Sequence, residues 1–251
     1  MDKVVILLTA CINPNGMSFT AIQDVNVRLR QYQEALTWYL NNTSEKIVFV
    51  ENSGFDISPF FLPYITEGRL EVITFEGNTY DRALGKGYGE ALLIDYGLRH
   101  SCWLRNAERI VKITGRLICL NIEAIVASYK EPETIYAVKY LDDERKMECL
   151  SQVVVFTTDF LQNYLLPQKG KLNDNIHYWF EHLLYDSACE WEKAGHLFKD
   201  MWIPVELKGE SGSSGIPIDT STPFKKGIFY MHYILHRLGY YGSLAFWNYF
   251  K

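Results

Sequence analysis

The sequence predicts an α/β fold: a mixed, mainly parallel sheet flanked by helices and ending in an aromatic C-terminal helical tail. Three observations lead there. Val4–Ala10 is an unbroken apolar run, the pattern of a strand covered on both faces. Further apolar runs of strand length then alternate with stretches of helical period. Finally, residues 227–251 crowd aromatic side chains at helical spacing.

Taken in order, the first run is expected as a core strand rather than a signal peptide, because it is short and turns polar early. Residues 11–16, with Asn13-Pro14-Asn15-Gly16, read as a loop. Val25, Val27, Leu29, Tyr32, Leu36 and Tyr39 recur at near-helical spacing and predict a helix over 25–40. A second strand over 46–50 stops at Glu51-Asn52-Ser53-Gly54, a short helix suits 59–65, and a third strand suits 70–75. Gly85-Lys86-Gly87-Tyr88-Gly89-Glu90 reads as a glycine-rich turn opening a helix over 90–101. Arg109–Thr114 is the next strand, followed by a helix over 121–130 and strands over 134–139 and 152–157. Thr158 or Asp159 caps a helix through Leu165, and Asp174 or Asn175 starts a longer one reaching about Ala194. The expected units are residues 1–208 as one domain, 209–226 as a mobile Gly/Ser loop, and 227–251 as the aromatic helix.

Composition narrows the class. A net charge of −5 argues against a dedicated nucleic-acid binder, so no nucleic-acid partner is expected. The 5 cysteines are scattered without CxxC spacing, which fits free thiols in a reducing cytosol and disfavours structural zinc. No apolar run approaches the roughly 18 residues of a membrane span.

The chemistry-bearing residues cluster at predicted strand ends. In open α/β sheets ligands bind beyond the carboxyl ends of the parallel strands. Here those ends are Thr9-Ala10-Cys11, Glu51-Asn52, the loop bearing Asn78, and Thr114-Gly115-Arg116. Each alone also suits an ordinary turn. Lys86, beside Gly87, could present an ammonium and backbone N–H groups to a phosphate, or be a solvated lysine on a flexible connection. Lys112 sits inside an apolar strand, where a lone charge is costly. Arg116 could grip a diphosphate with two parallel hydrogen bonds. Either cation could instead pair with Glu90 or Glu108. Glu181 and His182 flank an aromatic helix face, where a carboxylate can act as general base and a histidine can orient substrate. A solvated Glu–His pair is the plain alternative. Asp142-Asp143-Glu144 could hold a cation but reads better as a charged hairpin.

In this order, the strand–loop start, Val48-Phe49-Val50-Glu51-Asn52-Ser53-Gly54, the GKGYGE and KITGR strings, and Phe180-Glu181-His182-Leu183-Leu184-Tyr185 resemble bacterial capsule and O-antigen glycosyltransferases. The resemblance spans 4–215. It implies a GT-A-like, Rossmann-like nucleotide-binding fold, with Thr9, Ala10 and Cys11 bordering the nucleoside and Glu51 near base or ribose. It also implies Glu181 as catalytic base in an inverting reaction. Where such enzymes carry an acidic DxD motif for Mg or Mn, this chain has Thr114-Gly115-Arg116. Metal dependence therefore stays open, and Lys86, Lys112 or Arg116 are expected to neutralise the diphosphate instead. The expected reaction moves a sugar from a nucleotide-sugar donor, UDP-linked, to a glycan or lipid-linked acceptor. The expected location is the cytoplasm, at the inner face of the cytoplasmic membrane. The aromatic tail would make a peripheral membrane contact, pack onto the domain, or form a homodimer contact. Alternatives are a non-catalytic nucleotide- or carbohydrate-binding subunit and a nucleotidyltransferase.

Overall fold

A computed structural model describes residues 4–17, 20–142, 144 and 146–240. Its strands are β1 (Val4–Ala10), β2 (Lys46–Glu51), β3 (Leu70–Thr74), β4 (Arg109–Thr114), β5 (Ile118–Cys119) and β6 (Thr134–Ala137). They continue with β7 (Lys139–Leu141), β8 (Met147–Cys149), β9 (Val153–Phe156), β10 (Leu197–Asp200), β11 (Leu207–Glu210) and β12 (Pro217–Asp219). The helices are α1 (Val25–Asn42), α2 (Leu62–Thr66), α3 (Gly85–His100), α4 (Cys102–Asn106), α5 (Ile122–Ser128), α6 (Thr158–Phe160), α7 (Phe180–Lys193) and α8 (Pro223–Arg237).

The fold is mixed α/β, with helices flanking a mostly parallel central sheet of order β10-β6-β9-β4-β1-β2-β3. Strand β1 pairs in parallel with β2 and β4, and β2 with β3. Strand β9 runs antiparallel between β4 and β6, which explains the mixed character. Every residue of β1 is buried, as a central strand demands. Alternate residues feed two cores. Val4, Ile6 and Leu8 pack with Tyr32, Leu36 and Tyr39 of α1 on one face. Val5 and Leu7 pack with Leu93 and Ile94 of α3 and Leu183, Leu184 and Trp191 of α7 on the other. Asp24 caps α1 by accepting from the Asn26 and Val27 amides at 2.8 and 3.0 Å.

Three segments differ from expectation. The glycine-rich stretch is no turn before a helix; it forms the first turns of α3. Its glycines permit close packing: a Cβ on Gly87 would lie 3.0 Å from the Phe180 nitrogen, and one on Gly89 2.4 Å from the Tyr80 hydroxyl. The late helix starts at Phe180 rather than at 174 or 175, because a 3-10 turn at Asp174–Ile176 ends in left-handed His177 (φ 55°). Within 209–226, Gly209 and Glu210 end β11, Pro217–Asp219 is its antiparallel partner β12, and α8 already begins at Pro223. The hairpin is tied down by Gln31 Nε2 donating to Glu210 (2.7 Å) and the Ala21 amide donating to the Gly212 carbonyl (3.0 Å).

Candidate functional site

A cavity of about 490 Å³ opens at the carboxyl ends of β1, β2 and β4, within the size range of small-molecule sites. Ten of the sequence-selected residues line it: Thr9, Ala10, Cys11, Asn52, Asn78, Lys86, Gly87, Thr114, Arg116 and Glu181. They come from strand ends, from α3 and from the first turn of α7, which the two cores hold in register.

At the end bordered by Cys11, backbone is fixed by buried polar groups. Glu51 is fully buried and does not line the cavity. Its carboxylate accepts from the Ile12, Ser53 and Phe55 amides, each at 2.9 Å, so it shapes the loop rather than lining the site. Burial raises its pKa above the ordinary carboxylate range, against the pull of those hydrogen bonds. Arg28 of α1 donates to the Cys11 carbonyl at 2.8 Å, and Asn78 donates to the Asn13 carbonyl at 3.0 Å. Burial pushes the Cys11 thiol up to about 12, so it faces the cavity as a neutral group.

Besides Arg28, the cavity lining carries two more cations, Lys86 and Arg116. Lys86 meets the Ser213 hydroxyl of the β11–β12 hairpin. Arg116 donates to the Glu210 carbonyl at 2.7 Å. Burial lowers the pKa of both; Glu181 and Asp174 partly restore that of Lys86, while Arg116 lowers it further. By accessible surface Lys86 stays exposed and Arg116 is buried, and two cations close enough to repel one another are stabilised by any polyanion placed between them.

Lys112 and Gly115 lie outside this lining. Lys112 is fully buried, pairs with Glu90 and donates to the Ser151 carbonyl at 2.6 Å. For this residue the salt bridge to Glu90 is what the structure shows. A Cβ on Gly115 would stand 2.8 Å from the Thr9 carbonyl oxygen, so this glycine permits close approach of β1 and β4. Thr9 in turn donates to Glu90 at 2.8 Å. Ser151 donates to Glu181 at 2.5 Å. A polar chain therefore runs Thr9–Glu90–Lys112–Ser151–Glu181, anchoring the Glu181 carboxylate to the central sheet.

His182 is buried beside Glu181 but turned from the cavity. Its Nδ1 accepts from the Trp179 amide (3.3 Å) and its Nε2 lies 3.2 Å from Asp142 Oδ2, so it pins the start of α7. Asp143 lies outside the described residues. Sequence reasoning missed Arg28, Tyr140, Glu148, Ser151, Gln152 and Trp179 of the lining. One signal was readable: Arg28 stands one helical turn before Tyr32, on the apolar face of α1.

The diphosphate-bound metal that the resemblance implies finds no ligand set among the described residues. The acids lining the cavity are Glu90, Glu148 and Glu181. Glu90 is held by Lys112 and Glu181 by Ser151, while Glu148 stands 3.7 Å from His182. Among the described residues no group of three or more His, Cys, Asp or Glu converges to hold a metal.

No family model and no curated protein matches the chain. Among solved structures, it is similar to a protein described as a nucleotide-diphospho-sugar transferase from Desulfovibrio desulfuricans. That likeness has 9% identity over 80% of each chain and a TM-score of 0.43. The glycosyltransferase GlyE of Streptococcus pneumoniae aligns at 12% identity with a TM-score of 0.46, over 80% of this chain and 46% of that one. This chain thus spans less than half of the pneumococcal protein. The inositol-1-phosphate CTP transferase of T. maritima aligns at 12% identity over 80% and 85% of the two chains, with a TM-score of 0.46.

Proposed function

We propose that this chain is an inverting glycosyltransferase. It moves a sugar from a nucleoside-diphosphate donor, UDP-linked, to a glycan or lipid-linked acceptor during bacterial surface polysaccharide synthesis, of capsule or lipopolysaccharide. The observation that carries this reading is the pair of cations, exposed Lys86 and buried Arg116, lining one cavity with the anchored carboxylate of Glu181.

The chemistry follows from the charges. The acceptor hydroxyl oxygen forms a bond to the anomeric carbon of the donor sugar. The bond from that carbon to the β-phosphate oxygen breaks, and its electron pair leaves on the nucleoside diphosphate. The acceptor proton passes to Glu181. Lys86 and Arg116 stabilise the charge that grows on the leaving diphosphate, a role for preorganised cations in a site of low dielectric. Ser151 fixes the Glu181 carboxylate so that little reorientation accompanies proton transfer.

Exchanging Glu181 for Gln tests the reading. Calorimetry with UDP, GDP and CMP is expected to show the same nucleotide binding in E181Q and wild type. Sugar transfer is expected to fall by about 10²-fold or more, the ordinary weight of a general base. Unchanged polymer synthesis in cells carrying E181Q would instead identify a non-catalytic binding subunit. Absence of binding to all three nucleotides would sink the proposal.

A further inference from the structure

Helix α8 breaks the rule that surface helices turn a polar face outward. Its inner face packs Ile228, Phe229, His232 and His236 against the domain, and Lys226 holds Glu206 at 2.7 Å. The opposite face should then be charged. Instead Phe224 is 73% exposed, Ile234 56% and Leu238 65%, with Tyr230 and Met231 beside them at 48% each. At 100° per residue, Phe224, Met231, Ile234 and Leu238 fall within one quarter of the helix circumference, a continuous apolar stripe. A helix apolar on both faces is covered on both faces in its working state.

The charge around the stripe says what covers it. All 30 carboxylates of the chain lie before residue 220, together with 21 of its 25 Lys and Arg; residues 220–251 carry four Lys and Arg and no acid. A chain of net charge −5 thus carries a stretch, 220–251, whose only charged side chains are Lys and Arg. The exposed Arg237 lies on one flank of the stripe, beside Lys226, whose charge is already shared with Glu206, and Tyr230 and Tyr240 add rings with polar tips. A second copy of this face would bring like charges together, whereas an anionic surface complements them. No helix among the described residues is long and apolar enough to cross a membrane. A 15-residue helix is about 22 Å long, so it suits lying within the interface rather than spanning it.

We propose that the outward face of α8 docks this protein on the surface of an anionic lipid bilayer, with the Phe224–Met231–Ile234–Leu238 stripe in the acyl boundary and the basic flank among the headgroups. This is independent of the transferase reading, since no residue of the stripe lines the cavity.

The test is flotation of the full chain with vesicles of phosphatidylcholine alone and with about one third phosphatidylglycerol, at ~0.1 M and ~0.5 M NaCl. The expected result is binding to the phosphatidylglycerol vesicles that weakens in high salt, with little on phosphatidylcholine. Replacing the exposed pair by M231E and I234E should reduce binding at least about tenfold. Unchanged circular dichroism and melting temperature would show those variants folded. Failure to float with anionic vesicles overturns the proposal, as does binding that survives the double substitution. It is equally overturned by a wild-type dimer, seen in sedimentation velocity, that M231E and I234E dissociate while vesicles capture neither protein.

Discussion

The buried ion pair at the centre of the polar chain makes an asymmetric prediction. Lys112 has no solvent exposure, whereas the Glu90 side chain is 21% exposed at the cavity wall. Replacing Glu90 by Leu strands a buried ammonium that keeps the Ser151 carbonyl at 2.6 Å and the Phe180 ring 5.8 Å away but no counter-charge. Breaking a buried pair from one side in this way costs about 3–5 kcal/mol. Replacing Lys112 by Met leaves a carboxylate that still accepts from Thr9 and is 21% exposed, so its cost falls to the ~1.5–3 kcal/mol of a lost charged hydrogen bond. In a chain of 251 residues, each kcal/mol moves the melting temperature by about 2–4 °C. Urea denaturation should therefore rank wild type above K112M and K112M above E90L, with the double variant E90L/K112M recovering part of the E90L loss. An E90L protein as stable as wild type, or K112M costing more than E90L, would refute this account of the pair.

Two further perturbations probe the frame. Gly85 has φ +75°, and a Cβ there would stand 1.8 Å from the Asp174 carboxyl carbon, so Gly85→Ala should cost about 2 kcal/mol or more. Thermal melting checks this, and an unchanged Tm would show that Asp174 moves aside freely. The buried imidazole of His232 has its pKa lowered to about 4, by burial first and then by neighbouring His236. A depressed histidine pKa means the unfolded chain binds the extra proton. Stability is therefore complete above about pH 6.5 and lost as pH falls toward 4. The loss amounts to about 1 kcal/mol between roughly pH 6.5 and 5.5. His232→Phe should flatten that part of the urea profile, and a variant with the wild-type slope would contradict the assignment.

The parts of the fold that were legible are those set by local pattern. Strand β4 has the bounds read from the sequence, and β1 is buried throughout, because a strand covered on both faces must be continuously apolar. The short strands β5, β7, β8, β11 and β12 have two to four residues each and exist through pairing with distant segments, so no periodicity announces them. For the site, polar residues at strand ends were readable because the sheet's topology converges them. Lys112 shows the limit: a lysine inside an apolar strand signals some partner, and only the position of Glu90 on α3 tells a carboxylate from a phosphate. Ser151 and Trp179 were invisible for another reason. Ser151 reaches the cavity from the turn between β8 and β9, and Trp179 from the start of α7, which follows His177 in the left-handed region.

The central claim is that Lys86 and Arg116, rather than a metal held by acids, bind the nucleoside diphosphate. Calorimetric titration of UDP in excess EDTA, for wild type and for R116A and K86A, tests it most directly. The account predicts wild-type binding undiminished by EDTA and weakened at least about tenfold by either substitution, since a charged hydrogen bond contributes roughly 1.5–3 kcal/mol. UDP binding that vanishes in EDTA and returns with Mg or Mn, or that is indifferent to both substitutions, would contradict it.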